Sequence, residues 1–187
     1  EVVGNPKIPG SDEHNLSFDK KSRVFFFSVK RGGPYGRYGR SHALYTSEDL
    51  ERWTKVPIAG ADSLFHADDA DQEHNRGAIM ALMEELVADP RLAETDFYAE
   101  DNYNVDIYNT PVFRYESHYL ALPAIHPSIT MDLSDHSDNI ALKIPQLWWS
   151  RDQENWSRPE NREEFITLSH PESGAYDLAV AFPPSSP

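Results

Sequence analysis

The chain has no cysteine. That absence excludes disulfides, Cys-ligated zinc, iron–sulfur clusters and thiol nucleophiles, and it says little about compartment. Positive charge is scarce: 17 Lys and Arg stand against 31 Asp and Glu, for a formal net charge of −14. A phosphate-binding face needs clustered cations, so no nucleic-acid surface is expected and a neutral or cationic partner suits the chain better. Long apolar runs are also missing. None approaches the roughly 18 residues of a membrane-crossing helix, so no membrane partner is expected. No signal peptide is visible in a sequence that begins at Glu1; an extracellular or periplasmic setting is favoured. The Gly- and Arg-rich run "RGGPYGRYGR" lacks the glycine spacing and strand-to-helix context of a phosphate loop. It reads as turn chemistry, either a solvated hairpin loop or a basic lip that meets a substrate hydroxyl, carboxylate or sulfate.

What is present is the grammar of short strands. With 39% hydrophobic and 12% aromatic residues over 187 positions, the chain can bury one core, and 1–187 reads as a single domain or part of a larger one. Its centre of organisation is 102–123, "NYNVDIYNTPVFRYESHYLALP". There two aromatic-rich strands follow an Asn-rich approach carrying Asp106, a carboxylate at a strand's mouth. "NLSFD" and "RVFFFSVK" flank the turn-like "DKKS" as a hairpin, and "LKIPQLWWS" supplies a further strand. Trp148 and Trp149, adjacent on that strand, must face opposite ways.

The strongest internal signal is a repeat. "YTSEDLERW" and "WWSRDQENW" both read aromatic, x, Ser, x, Asp, three residues, Trp, which brings Ser47, Asp49 and Trp53 into register with Ser150, Asp152 and Trp156. Such a turn lets Ser and Asp side chains bond turn amides while the Trp packs, a structural role. Repeated short-strand units of this kind point to an all-β, propeller-like array. Between the repeats, Ile79, Leu82, Met83, Leu86 and Val87 have the spacing of an amphipathic helix. The segment predicts a helical insertion near 75–90, within 75–93, capped by Asn75 and stopped by Pro90.

Taken together, "DEHNLSFD", the two Ser-x-Asp-x-x-x-Trp tails, "DIYNTPVFRYESHYLALP" and "SGAYDLAVAFPPSSP" resemble the five-bladed β-propeller glycoside hydrolases of the furanosidase type, families 32 and 43. The likeness is nearest to a bacterial family-32-like branch. It covers most of 12–187 and implies an incomplete propeller of two to three blades. With sheet edges and apolar blade faces left open, self-association or a missing C-terminal half is expected as the protein partner.

The resemblance further implies one carboxylate from each of the first three blades: Asp12 as nucleophile or base, Asp106 as transition-state stabiliser or pKa tuner, and a third-blade acid. Glycosidic cleavage needs one carboxyl group to protonate the leaving oxygen and another as nucleophile or base. The family's acid is usually Glu; this chain offers Asp177, or Glu172 five residues earlier, and it lacks the Trp-Met-Asn-Asp-Pro signature of fructofuranosidases. His14 and Asn15 beside Asp12, with Arg40, Tyr108, Asn109 and Tyr176, are the candidate substrate-binding residues, the partner being a carbohydrate. Each Asp also has an ordinary reading as a turn or cap residue, and His118 and His126 read as strand-end residues. No cofactor is expected. Ca²⁺ is the one cation the sequence suggests, at Asp132, Asp135 and Asp138 in "MDLSDHSDN". Three functions follow: a glycoside hydrolase, a carbohydrate-binding propeller without catalysis, and last a sialidase-type propeller, because the repeated turn approaches an Asp-box.

Overall fold

The fold was obtained as a computed structural model, which describes residues 8–10, 12–36, 39–58, 63–88, 90, 103–130, 139–169 and 173–175. The described chain is mostly β, with three antiparallel four-stranded sheets and one long helix. Among the described residues no helix is long and apolar enough to cross a membrane.

The first sheet is a meander, β1 (Asn15–Asp19), β2 (Val24–Gly36), β3 (Gly39–Ser47) and β4 (Thr54–Lys55), hydrogen-bonded in chain order. Asp19 shapes its first turn by accepting the Lys21 amide at 2.9 Å and the Ser22 hydroxyl. Strand β1 alternates buried and exposed residues, with Asn15, Ser17 and Asp19 turned inward. Leu16 and Phe18 stay on the outer face.

The rest of the sheet structure is one bent meander. Strands β5 (Tyr103–Ile107) and β6 (Val112–Tyr115) form its first arm, and β7 (His118–Ala121) and β8 (Ala124–Thr130) its second. The third arm comprises β9 (Asn139–Ala141), β10 (Ile144–Pro145) and β11 (Trp148–Ser150), and β12 (Trp156–Ser157) closes the edge. The expected single strand over 142–150 is therefore broken. Pro111 and Pro123 lie in the breaks of the first two arms, and Pro145 ends β10 just before the break into β11. Proline has no N–H to give to a ladder, so the sheet bends where the three align. Backbone bonds nevertheless cross the bend, from Ala124 N to Asn109 O at 2.9 Å, Leu122 N to Pro111 O at 3.1 Å and Gln146 N to Pro123 O at 3.0 Å. Beyond it the sheet continues as β5, β8, β9 and β10; before it, as β6, β7, β11 and β12.

The two meanders pack face to face over Phe26, Leu44, Phe65, Val105, Ile107, Val112, Ala121, Ile125 and Trp148. Phe65 sits at the centre, fully buried, with its ring 5.6 Å from that of Trp148 and 5.0 Å from that of Trp156. Trp149, its neighbour's opposite, is exposed.

Helix α1 (Asp69–Ala88) starts earlier than its apolar periodicity suggests. Asp68 is its cap, accepting the Ala70 and Asp71 amides at 3.0 and 3.1 Å, while Asp71 reaches back to the Asp68 amide at 2.9 Å. This is a reciprocal cap with acidic residues at the dipole's positive end. Asn75 lies inside the helix, its amide bonded to Asp71 O at 2.9 Å. Arg158 pins the cap, 2.5 Å from Asp68 and 2.8 Å from Asp71, and Arg162 adds a contact of 2.7 Å to Asp68. Against the cost of burial, Arg162 and Arg158 hold Asp68 at about 2, whereas burial pushes Asp71 up. Gln72 then docks the helix on the sheet by bonding both Val105 O (2.8 Å) and Val105 N (3.2 Å), which satisfies the open edge of β5.

The repeated turn is the same device twice. Ser47 Oγ accepts the Asp49 and Leu50 amides, as Ser150 Oγ accepts those of Asp152 and Gln153. Asp49 Oδ1 takes the Glu51 and Arg52 amides, and Asp152 Oδ1 those of Glu154 and Asn155. Each Trp indole closes the turn on a carbonyl three residues back, Leu50 or Gln153. Both of those residues are left-handed, at φ 64° and 71°. A side chain there costs roughly 1–2 kcal/mol relative to glycine, offset in part by glycine's entropy in the unfolded chain. Leu50→Gly and Gln153→Gly are expected to hold or raise stability by up to about 1 kcal/mol in urea unfolding, and Leu50→Val to lower it by about the same amount. Glycine variants that unfold markedly earlier than the parent would contradict this assignment of strain.

Candidate functional site

Asp106 is the penultimate residue of β5, inside a strand where the sequence reads only an Asn-rich approach. It sits on β5 directly across from His126 on β8. The chain comes close to it from the first sheet at Gly39. A φ of 114° favours glycine there, and so does the space, since a Cβ at this position would stand only 3.3 Å from Asp106 Oδ2. The next residue, Arg40, donates its backbone N–H to Asp106 Oδ2 at 3.2 Å and its Nε–H at 2.6 Å. One oxygen of a carboxylate that is only 4% exposed is thereby charge-paired.

The other oxygen is different. His126 Nδ1 lies 3.2 Å from Asp106 Oδ1 and 3.1 Å from Arg40 Nη2. A guanidinium can only donate, so Nδ1 is the acceptor of that bond and has no proton to offer Oδ1. Burial, opposed by Asp106, lowers the pKa of His126 and favours this neutral form. Oδ1 is therefore buried without a hydrogen bond, despite its nearness to the ring. Unpaired buried carboxylate oxygens are rare and costly, and they cluster where chemistry is done.

Tyr108, two residues on, joins Asp106 to the first sheet. Its ring stacks on His126 at 5.1 Å and carries Lys30 Nζ 3.8 Å from its centroid, with Lys143 Nζ at 4.6 Å and the Arg40 guanidinium at 5.4 Å. Lys30, itself 4% exposed, pairs with Asp12 at 2.9 Å. The Asp12 side chain is 72% exposed, facing solvent. Burial, then the charges of Glu13 and Asp12, push the Tyr108 phenol up, so both acidic residues act on this ring.

His42 fixes the Tyr108 backbone. Its Nε2 lies 3.1 Å from Tyr108 O, which can only accept, so Nδ1 takes the Ser28 hydroxyl at 3.1 Å. The fully buried ring is neutral, burial driving its pKa down to about 3.

Of the expected site residues, Asp12, Asp106, Arg40 and Tyr108 come together. His14 sits at the rim, edge-on to Phe27 at 5.4 Å, with its pKa lowered by burial. Asn15 is buried at the start of β1, and Asn109 is buried at the bend, its side-chain oxygen unpaired. Asp177, its alternative Glu172, Tyr176 and the acidic residues Asp132, Asp135 and Asp138 lie outside the described residues. Among the described residues no group of three acidic or histidine side chains forms a metal site. Lys30, Lys143 and His126 join the site without having been expected there.

No family model matches the sequence, and no curated protein matches it. Among solved structures the fold is similar to a glycosyl hydrolase from Bacteroides ovatus, at a TM-score of 0.36 and 9% identity, over 80% of this chain and 31% of that one.

The buried histidines make stability pH-dependent. A histidine whose folded pKa is depressed stabilises the fold fully above its unfolded value near 6.5, and that contribution is lost as pH falls toward the folded value. For His42 the window runs from about 6.5 to about 3. Between pH 7 and pH 4 the protein is expected to lose on the order of 2–3 kcal/mol through this residue. Urea midpoints across that range should fall steeply in the parent and less steeply in His42→Gln; parallel slopes would exclude His42 as the source.

Proposed function

We propose that the protein is a glycoside hydrolase that cleaves an oligo- or polysaccharide with Asp12 and Asp106 as its working carboxylates. The observation that carries this reading is the asymmetry of Asp106, one oxygen clamped by Arg40 and the other buried and unpaired beside a neutral histidine. Asp12, exposed and tethered through Lys30 to the same tyrosine, is the group available to attack or to activate water. Glycoside hydrolysis uses two carboxyl groups in distinct protonation roles, and two environments this different supply them. The leaving-group acid in this reading is Asp177 or Glu172. The two meanders are read as neighbouring blades of a five-bladed propeller, supported by their shared strand order and the repeated Ser-Asp turn, with strand mouths turned toward a common funnel.

A panel of aryl furanosides and pyranosides, with plant and algal oligosaccharides, tests the reading. Turnover is expected, falling about 10²–10⁴-fold in Asp106→Asn and in Asp12→Asn while saccharide affinity persists. Saccharide binding with no turnover in the parent would assign a non-catalytic carbohydrate-binding protein instead. Turnover untouched by either substitution would remove these residues from the site.

A further inference from the structure

Asp106 and His126 face each other across β5 and β8, and both side chains are buried. Asp106 Oδ1 has no hydrogen bond, although His126 Nδ1 lies only 3.2 Å away. One proton is what that contact lacks. Both atoms present lone pairs to each other, and Nδ1 already accepts from Arg40 Nη2 at 3.1 Å. Tyr108, stacked on the imidazole at 5.1 Å, keeps the ring in this orientation. Oδ1 is closed to solvent, so a proton is the smallest group that can satisfy it.

We propose that Asp106 and His126 form a single proton-binding site, in which one proton held between Oδ1 and Nδ1 withdraws the charge of Asp106, and that His126 thereby sets the acid limit of turnover. The consequence for turnover rests on the glycosidase reading; the proton site itself does not. The proton comes from solvent, and the one bond given up is that from Arg40 Nη2 to Nδ1. Arg40 keeps Oδ2 through its Nε–H at 2.6 Å and its backbone N–H at 3.2 Å. The charged groups that act on the ring are Asp106 on β5, Arg40 on β3 and Lys143 between β9 and β10. Burial resists a positive imidazole first, Asp106 favours it, and Arg40 and Lys143 oppose it, so uptake falls below histidine's ordinary 6.5. Because the two groups share the proton, the apparent pKa belongs to the pair. With the proton in place the pair has no net charge, and a positively charged transition state loses the carboxylate that stabilises it. His126 is in this sense a positioning residue that acts through Asp106.

Long-range ¹H–¹⁵N NMR of the full chain reads the site directly, with His126→Phe assigning its signals among the eight histidines. At neutral pH His126 is expected as the Nε2–H tautomer, and on acidification Nδ1 gains the proton. Asp106→Asn should lower the apparent pKa by about one unit, since it removes the attraction. Arg40→Gln should raise it, since it removes both the repulsion and the donor to Nδ1. An Nδ1–H tautomer at neutral pH, or a titration unchanged in both variants, would overturn the inference and leave the glycosidase reading intact. Turnover of an aryl glycoside should fall on the acid side at the apparent pKa of the pair, and in His126→Phe that limb should move to lower pH by about one unit. A His126→Phe protein slowed equally at every pH, its acid limb unmoved, would make the histidine structural and overturn its role in turnover. A titrating pair in a folded protein without glycosidase activity would overturn the glycosidase reading and leave the proton site standing.

Discussion

The bend at Pro111, Pro123 and Pro145 is the constraint on which the remaining structure depends. Three adjacent arms each lose a ladder donor at nearly the same level, so the sheet cannot run straight through. The outer half keeps Val112, Ala121 and Trp148 in the core against Phe26 and Phe65. The inner half turns toward β3 and presents Asp106, Tyr108 and His126 to Arg40. The inner half also feeds the core, through Val105, Ile107 and Ile125. On β5 the alternation of side chains divides the two tasks, with Val105 and Ile107 in the core and Asp106 between them on the face of the site.

It also changes register. Val112 faces Ala121, yet Ile107 faces Ile125, so five residues of the first arm span four of the second. Because side chains alternate with period two, one extra residue exchanges the faces of everything beyond it. That slip is why His126, rather than Pro127, stands opposite Asp106.

The same slip explains what could be read from the chain and what could not. The Ser-Asp turns were legible because every bond in them spans four residues or fewer, so the sequence pattern and the structure coincide atom for atom at Ser47 and Ser150. The hairpins and the opposite facing of Trp148 and Trp149 were legible for similar reasons of short range and alternation; that Asp106 lies inside a strand, β5, was not. The helix start was not, since "ADDADQEH" has no apolar stripe and its signal is the cap at Asp68. Neither were Lys30, His126 and Lys143. Their arrival at Tyr108 depends on contacts across three segments and on a register offset at the bend, and no local pattern encodes those.

The energetic character of the site follows from which groups are satisfied. His42 is buried and neutral, with a donor and an acceptor each matched, so it serves as scaffold for the Tyr108 backbone. His126 is also buried and neutral, but its Nδ1 lone pair is taken by Arg40, which deprives Asp106 Oδ1 of the donor it would otherwise have. Arg40 thus acts on the carboxylate twice, holding one oxygen directly and leaving the other bare through the histidine. A carboxylate so held is oriented without being neutralised on both sides, and a reacting group that supplies a donor or positive charge at Oδ1 completes its shell. Stabilisation of that kind is realised only when the ligand is in place, and it is the kind an active site can direct at a transition state.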